Sequence, residues 1–148
     1  MRRKVLQDYA NKVCEIFAGW RIAVAPGDLD RLLEAGTGTV NMNLRTGATC
    51  LSGQAVEPLG ISRELAAWLA AADRAENDRL PLDQLTEANL AVSFRLSEDQ
   101  DGRGTIRHLD FQCRSELRTD ELSYTGRLDK REVWTRPAPG RPWMVYDT

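Results

Sequence analysis

The sequence predicts an α+β fold in which N-terminal helices pack on a bent, mainly antiparallel β-sheet. In the first part of the chain, apolar residues recur every three or four positions, which is typical of amphipathic helices. After residue 90 they alternate with polar residues at a period of two, as in strands with one buried face. No β-α-β alternation calls for a parallel sheet. Because 148 residues is a common domain length, we expect residues 1–148 to form a single domain.

Three helices are predicted before the main strands. The spacing of apolar residues from Val5 to Trp20 predicts a helix over about 3–20. After a break at 25–27, Asp28 is suited to cap a second helix with leucines on its inner side. Ser62 is expected to cap a third helix that runs to about residue 77 and buries Trp68.

A short hairpin is predicted between the second and third helices. Residues 40–44 alternate between apolar and polar side chains, as in a strand with one buried face. Thr46 and Gly47 then indicate a tight turn back into a partner strand at 49–51.

The main strands are predicted at 90–96, 105–117, 122–134 and 143–146. Residues 97–104 are expected to be a polar hairpin loop, since they are too charged for the core. Gly126 is expected to bend or bulge its strand. The charged stretch 123–136 is expected to be the edge of the sheet, with Arg127, Lys130 and Arg131 preventing uncontrolled pairing.

Composition excludes several classes of function. With 42% hydrophobic and 28% charged residues and a net charge of −2, the chain has a globular composition and no basic block of the kind that binds nucleic acid. It has no apolar run long enough for a membrane span and no secretory h-region, so we expect a cytoplasmic protein. The three cysteines are too widely spaced for a disulfide framework or a zinc site, so no metal and no cofactor is predicted.

Three segments resemble a known superfamily. Residues 27–33 (Gly-Asp-Leu-Asp-Arg-Leu-Leu), 60–69 (Gly-Ile-Ser-Arg-Glu-Leu-Ala-Ala-Trp-Leu) and 140–145 (Gly-Arg-Pro-Trp-Met-Val) are similar to elements of the cone-shaped superfamily that includes nuclear transport factor two, ketosteroid isomerase and polyketide cyclases. The resemblance implies a bent sheet that wraps the first helix and leaves a pocket open at one end. Members of that superfamily isomerise, dehydrate or cyclise small apolar molecules, or only bind and dimerise, so fold alone does not choose a function.

One functional hypothesis is a small pocket enzyme. His108, the only histidine, shares a strand face with Asp110, so it could act as a general base with Asp110 setting its tautomer. Arg114 or Tyr124 could then stabilise an oxyanion. The alternative is that this polar face is simply solvated. A Cys113–His108 mechanism is disfavoured, because the two residues point to opposite faces of the strand.

Aromatic residues on the helices could line a pocket for a small apolar ligand. Tyr9, Trp20 and Trp68 lie at helical spacing, which is also typical of residues that only fill a core.

The preferred hypothesis is a non-enzymatic binding module. It predicts a homodimer, or capture of a protein partner, through the outer face of the sheet and an aromatic C-terminal segment. The residues of that segment expected to make contact are Trp134, Trp143 and Tyr146, because aromatic residues are enriched at interface centres. The alternative is that the proline and tryptophan residues pin this tail to the core of the same chain.

Overall fold

A computed structural model describes residues 2–19, 31, 34–75, 82–141 and 144–147. Its elements in chain order are α1 (Arg2–Gly19), β1 (Thr37–Asn43), β2 (Thr49–Leu51), β3 (Gln54–Val56), α2 (Gly60–Ala75), a 3₁₀ turn (Leu82–Gln84), β4 (Glu87–Asp101), β5 (Gly104–Arg118), β6 (Ser123–Arg136) and β7 (Met144–Asp147). The second predicted helix, capped by Asp28, falls mostly outside the described residues. Trp20 and Trp143 are also outside them.

The strands form one antiparallel sheet with the order β3-β2-β1-β4-β5-β6-β7, which confirms the predicted α+β class. β1 is followed in the chain by β2, β3 and α2, and it pairs on its other side with β4. Neither described helix is long and apolar enough to cross a bilayer.

The sheet has one buried and one solvent-facing side. On β5 every odd-numbered residue from Arg107 to Leu117 is buried, whereas the even-numbered ones are exposed or half-buried. We call the buried side the inner face and the other side the outer face. Apolar residues of the inner face share one core with α1 and α2, so both helices pack on that side.

Helix α1 is seated on a pair of small residues. Ser115 and Gly126 lie directly opposite each other on β5 and β6, and the Ser115 hydroxyl donates a hydrogen bond to the Ala10 carbonyl. A Cβ atom at Gly126 would collide with the Ala10 carbonyl group and lie 2.8 Å from the Asn11 nitrogen. The predicted bulge at Gly126 is therefore wrong. The β5–β6 register is continuous, and the glycine instead allows close approach of a helix backbone.

The predicted loop at 97–104 is also wrong, because β4 and β5 continue as a paired hairpin to a two-residue turn between Asp101 and Gly104. Residues 97–100 are exposed. Charged side chains do not prevent pairing where both strand faces meet water, since the backbone hydrogen bonds form regardless of the side chains.

Ser62 is not the N-cap of α2, because the helix begins two residues earlier and the buried Ser62 hydroxyl donates to the Leu59 carbonyl at 2.7 Å. Strand β3 has no counterpart among the strands predicted from the sequence. Ser52 and Gly53 both have positive φ angles, 50° and 85°, and form a two-residue hairpin turn into that strand.

The outermost strands are β3 and β7, so β6 is not the predicted edge over its full length. The described part of β7 pairs only with residues 132–135 of β6. Lys130 lies on the inner face, with its Nζ 4.0 Å from Glu132 Oε1, and so does not protect an edge.

Candidate functional site

The outer face carries an open groove across β4, β5 and β6. Two adjoining depressions of about 570 and 580 Å³ share Ser93, Gln112 and Asp129. The groove is bounded by side chains that the register places in neighbouring rows: Ala91, Ser93, Arg95, Asp110, Gln112, Arg114, Arg127, Asp129 and Arg131. We call this set the arginine groove. Its floor is low because Ala91 and Ser93 are small.

The arginine groove has more positive than negative side chains, four arginines against two aspartates. Arg131 and Asp110 form an ion pair within the groove, with Arg131 Nε 3.2 Å from Asp110 Oδ1. Arg114 and Arg127 are directly opposite each other on β5 and β6 and are both exposed.

Three of these arginines are available to a ligand. The side chains of Arg95, Arg114 and Arg127 make no hydrogen bond or ion pair with any described residue. Like charges directly opposite each other on a sheet are destabilising. The Arg114–Arg127 pair therefore costs the folded chain free energy without a compensating internal contact.

His108 and Asp110 share the outer face of β5, as predicted. Each side chain lies close to a different charged residue. His108 Nε2 is 3.7 Å from Asp99 Oδ2, while Asp110 pairs with Arg131. His108 Nδ1 is buried and has no hydrogen-bond partner among the described residues. Asp110 is about half exposed, with a side-chain accessibility of 51%. Cys113 is on the inner face, so the structure confirms that it points away from His108.

Tyr9 and Trp68, two of the aromatic residues proposed to line a pocket, pack in and against the core. Tyr9 and Trp68 make an edge-to-face contact with ring centroids 5.5 Å apart, and the Tyr9 hydroxyl donates to the Ala72 carbonyl at 3.1 Å. Tyr124 is half-buried against the same core. An apolar void beside Phe17 measures about 10 Å³, no more than a single water molecule needs.

Trp134 is buried rather than displayed for contact, with 3% of its surface exposed. Its indole Nε1 donates to Glu132 Oε2 at 2.8 Å, and Glu132 is itself 2% exposed. Tyr146 lies in β7 opposite Val133. Two residues earlier on β7, Met144 is 52% exposed, and with Ile106 it borders a second groove at the end of the sheet where β4 turns into β5.

The sequence predicts Asp110 and Arg114 as candidate site residues, and both border the groove. It predicts edge protection for Arg127 and Arg131 and no role for Arg95. The alternation of apolar and polar residues assigns each residue to one face of its strand. Which residues become neighbours across strands depends on the strand register, and no pattern in this sequence predicts that register.

Comparisons of this chain with protein-family models, with curated proteins and with solved structures give no match. Within the described ranges, no group of three or more His, Cys, Asp or Glu side chains is arranged to hold a metal ion. The fold and the outer face therefore define the protein only as an α+β protein with one helix-covered antiparallel sheet and a polar, arginine-bearing open side.

Proposed function

We propose that the protein is a non-enzymatic binding module whose arginine groove takes an acidic segment of a protein partner. The observation that carries the proposal is the Arg114–Arg127 pair, two exposed like charges held opposite each other without an internal counter-ion. Arginine presents a planar fork of donors that suits carboxylates.

The destabilising effect of the Arg114–Arg127 pair supports a role in binding another molecule. Opposed like charges lower stability by a few tenths of a kcal/mol to about 1 kcal/mol. The nearby Arg131–Asp110 pair indicates that this face can hold arginines with their own partners. Sites that sacrifice stability in this way are typical of binding surfaces.

The dimensions of the groove favour a chain segment over a small anion. Arg95, Arg114 and Arg127 are spread over three neighbouring strands, which are about 4.8 Å apart. Asp110 and Asp129 between them disfavour a continuous polyphosphate, whereas separate carboxylates can avoid both aspartates.

A second copy of the chain is the competing occupant. Two identical outer faces would each bring the same surplus of positive charge, which disfavours a symmetric contact centred on this groove. Homodimerisation remains an expectation from the sequence, and measuring the number of subunits distinguishes it from capture of a partner.

We expect Arg127→Glu to weaken binding of a labelled glutamate-rich peptide at least tenfold, measured by fluorescence anisotropy at low salt, because a cation is lost and a repulsive charge is added. Arg63→Glu is the matched control, since Arg63 is exposed on α2, on the other side of the sheet. Its effect should stay within about twofold.

The Arg127→Glu variant should not be less stable than the original chain. The introduced carboxylate would lie opposite Arg114, so thermal unfolding should occur at an equal or slightly higher temperature. Equal peptide binding by both variants would contradict the proposal. A dimer seen by light scattering that Arg127→Glu dissociates would instead identify the groove as a contact between copies.

A further inference from the structure

Two buried cysteines from distant parts of the chain lie side by side under the sheet. Cys14 is on α1 and Cys113 is on the inner face of β5, with 1% and 2% of their surfaces exposed. Their Sγ atoms are 3.4 Å apart. A disulfide needs a separation of about 2.05 Å, so the two sulfurs would have to approach by about 1.4 Å.

The thiols belong to a chain of hydrogen bonds that makes them chemically unequal. The Cys113 thiol donates to Cys14 Sγ, and the Cys14 thiol donates to Ser115 Oγ at 3.5 Å. The Ser115 hydroxyl in turn donates to the Ala10 carbonyl. The bond from Cys113 is the main cause that lowers the pKa of Cys14 to about 7, against a raising effect of burial. The same bond and burial raise the pKa of Cys113.

We propose that Cys14 and Cys113 form a reversible disulfide when a peroxide reaches the pair, and that this bond ties α1 to β5. The step is independent of the binding of an acidic segment to the outer face. Cys50 is not involved, because it lies on β2, which β1 and β4 separate from β5 in the sheet.

The reaction balances with one peroxide. The Cys14 thiolate attacks a peroxide oxygen, the O–O bond breaks with loss of hydroxide, and a sulfenic acid forms on Cys14. The Cys113 sulfur then attacks the sulfenic sulfur, the S–S bond forms, and the departing hydroxide leaves as water with the Cys113 proton. In total the two thiols lose two electrons and hydrogen peroxide becomes two waters.

Cys14 is the thiol suited to attack the peroxide, because its pKa is the lower of the two and the thiolate is the nucleophile. Access to a buried thiol needs local opening between α1 and the sheet, which costs less than global unfolding. Once formed, the bond would close a loop of about one hundred residues and restrict the unfolded chain.

The test uses the full chain with Cys50→Ser, which leaves only the two thiols of the pair. The folded protein is treated with hydrogen peroxide, quenched, unfolded and alkylated with N-ethylmaleimide. We expect the untreated protein to take two maleimides and the treated protein none, a Cys14–Cys113 linked peptide in the digest, and full reversal by dithiothreitol. We also expect the melting temperature to rise by roughly 10 °C on oxidation.

Two controls keep the result interpretable. Adding Cys113→Ala removes the resolving thiol, so no cross-link forms and dimedone should trap the sulfenic acid on Cys14. Because the hydrogen bond from Cys113 is lost too, the thiolate fraction of Cys14 falls, and this sulfenic acid should form more slowly than the disulfide does in the two-cysteine protein. The rate of disulfide formation should rise with pH through the Cys14 pKa of about 7 and level off roughly one unit above it, where Cys14 is mostly thiolate. Two alkylated thiols after peroxide treatment, or a melting temperature lowered by oxidation, would overturn the inference.

Discussion

Replacing Gly126 by alanine is expected to lower the free energy of unfolding by about 3 kcal/mol or more. The added Cβ would meet the carbonyl group of Ala10 and the amide nitrogen of Asn11, which are helix backbone and cannot rotate away. Either α1 must move off β6 or the strand must bend. Both changes also weaken the Ser115–Ala10 hydrogen bond on the neighbouring strand.

Urea unfolding of the two proteins measures this change directly. Gly19→Ala is the matched control, because a Cβ at the last residue of α1 would meet nothing within 4 Å. That control should be neutral or slightly stabilising, since alanine favours a helix more than glycine does. Equal stability of the Gly126→Ala protein and the original would show that α1 does not pack on β6 as described.

The buried Glu132–Trp134 pair is the second position where we expect a large effect. Glu132→Ala should lower the free energy of unfolding by about 3 kcal/mol, because the indole Nε1 of Trp134 loses its acceptor and Lys130 loses a nearby carboxylate. Glu132→Gln keeps an oxygen that can accept from the indole, so it should cost less.

A double-mutant cycle separates the pair from its surroundings. Trp134→Phe removes the indole donor, and the double variant with Glu132→Ala should be more stable than the sum of the two single changes implies, by about 1–2 kcal/mol. Glu15→Ala breaks the exposed Lys12–Glu15 pair and should change stability by less than about 0.5 kcal/mol. Strictly additive losses would mean that Glu132 and Trp134 do not interact.

Local patterns in the sequence predicted most of the elements. The spacing of apolar residues gave the first helix to within one residue at each end, and alternation placed His108 and Leu109 on opposite faces of β5. The errors occurred where long-range packing decides the outcome. Gly126 reads as a bulge in its own strand, but its role depends on a helix more than one hundred residues away in the chain.

The candidate site was predictable only in part, for a related reason. Arg114 belongs to a strand whose polar side is evident from the sequence, but Arg127 becomes its neighbour only through the β5–β6 register. Trp134 is predicted to make partner contacts because aromatic residues are enriched at interface centres, and no sequence pattern indicates the buried acceptor that Glu132 supplies to it. The assignment of His108 and Asp110 to acid-base catalysis remains a prediction, as does the likeness to the cone-shaped superfamily.

The order of the strands has a consequence for how the chain reaches its folded state. β4, β5 and β6 are joined by short connections, so their hairpins can form from local contacts. β1 pairs with β4 across about fifty residues, as in the Val40–Val92 pair, and closing that loop costs entropy before any contact compensates for it. The β1–β4 seam should therefore form after the hairpins, and substitutions there should accelerate unfolding more than they slow folding.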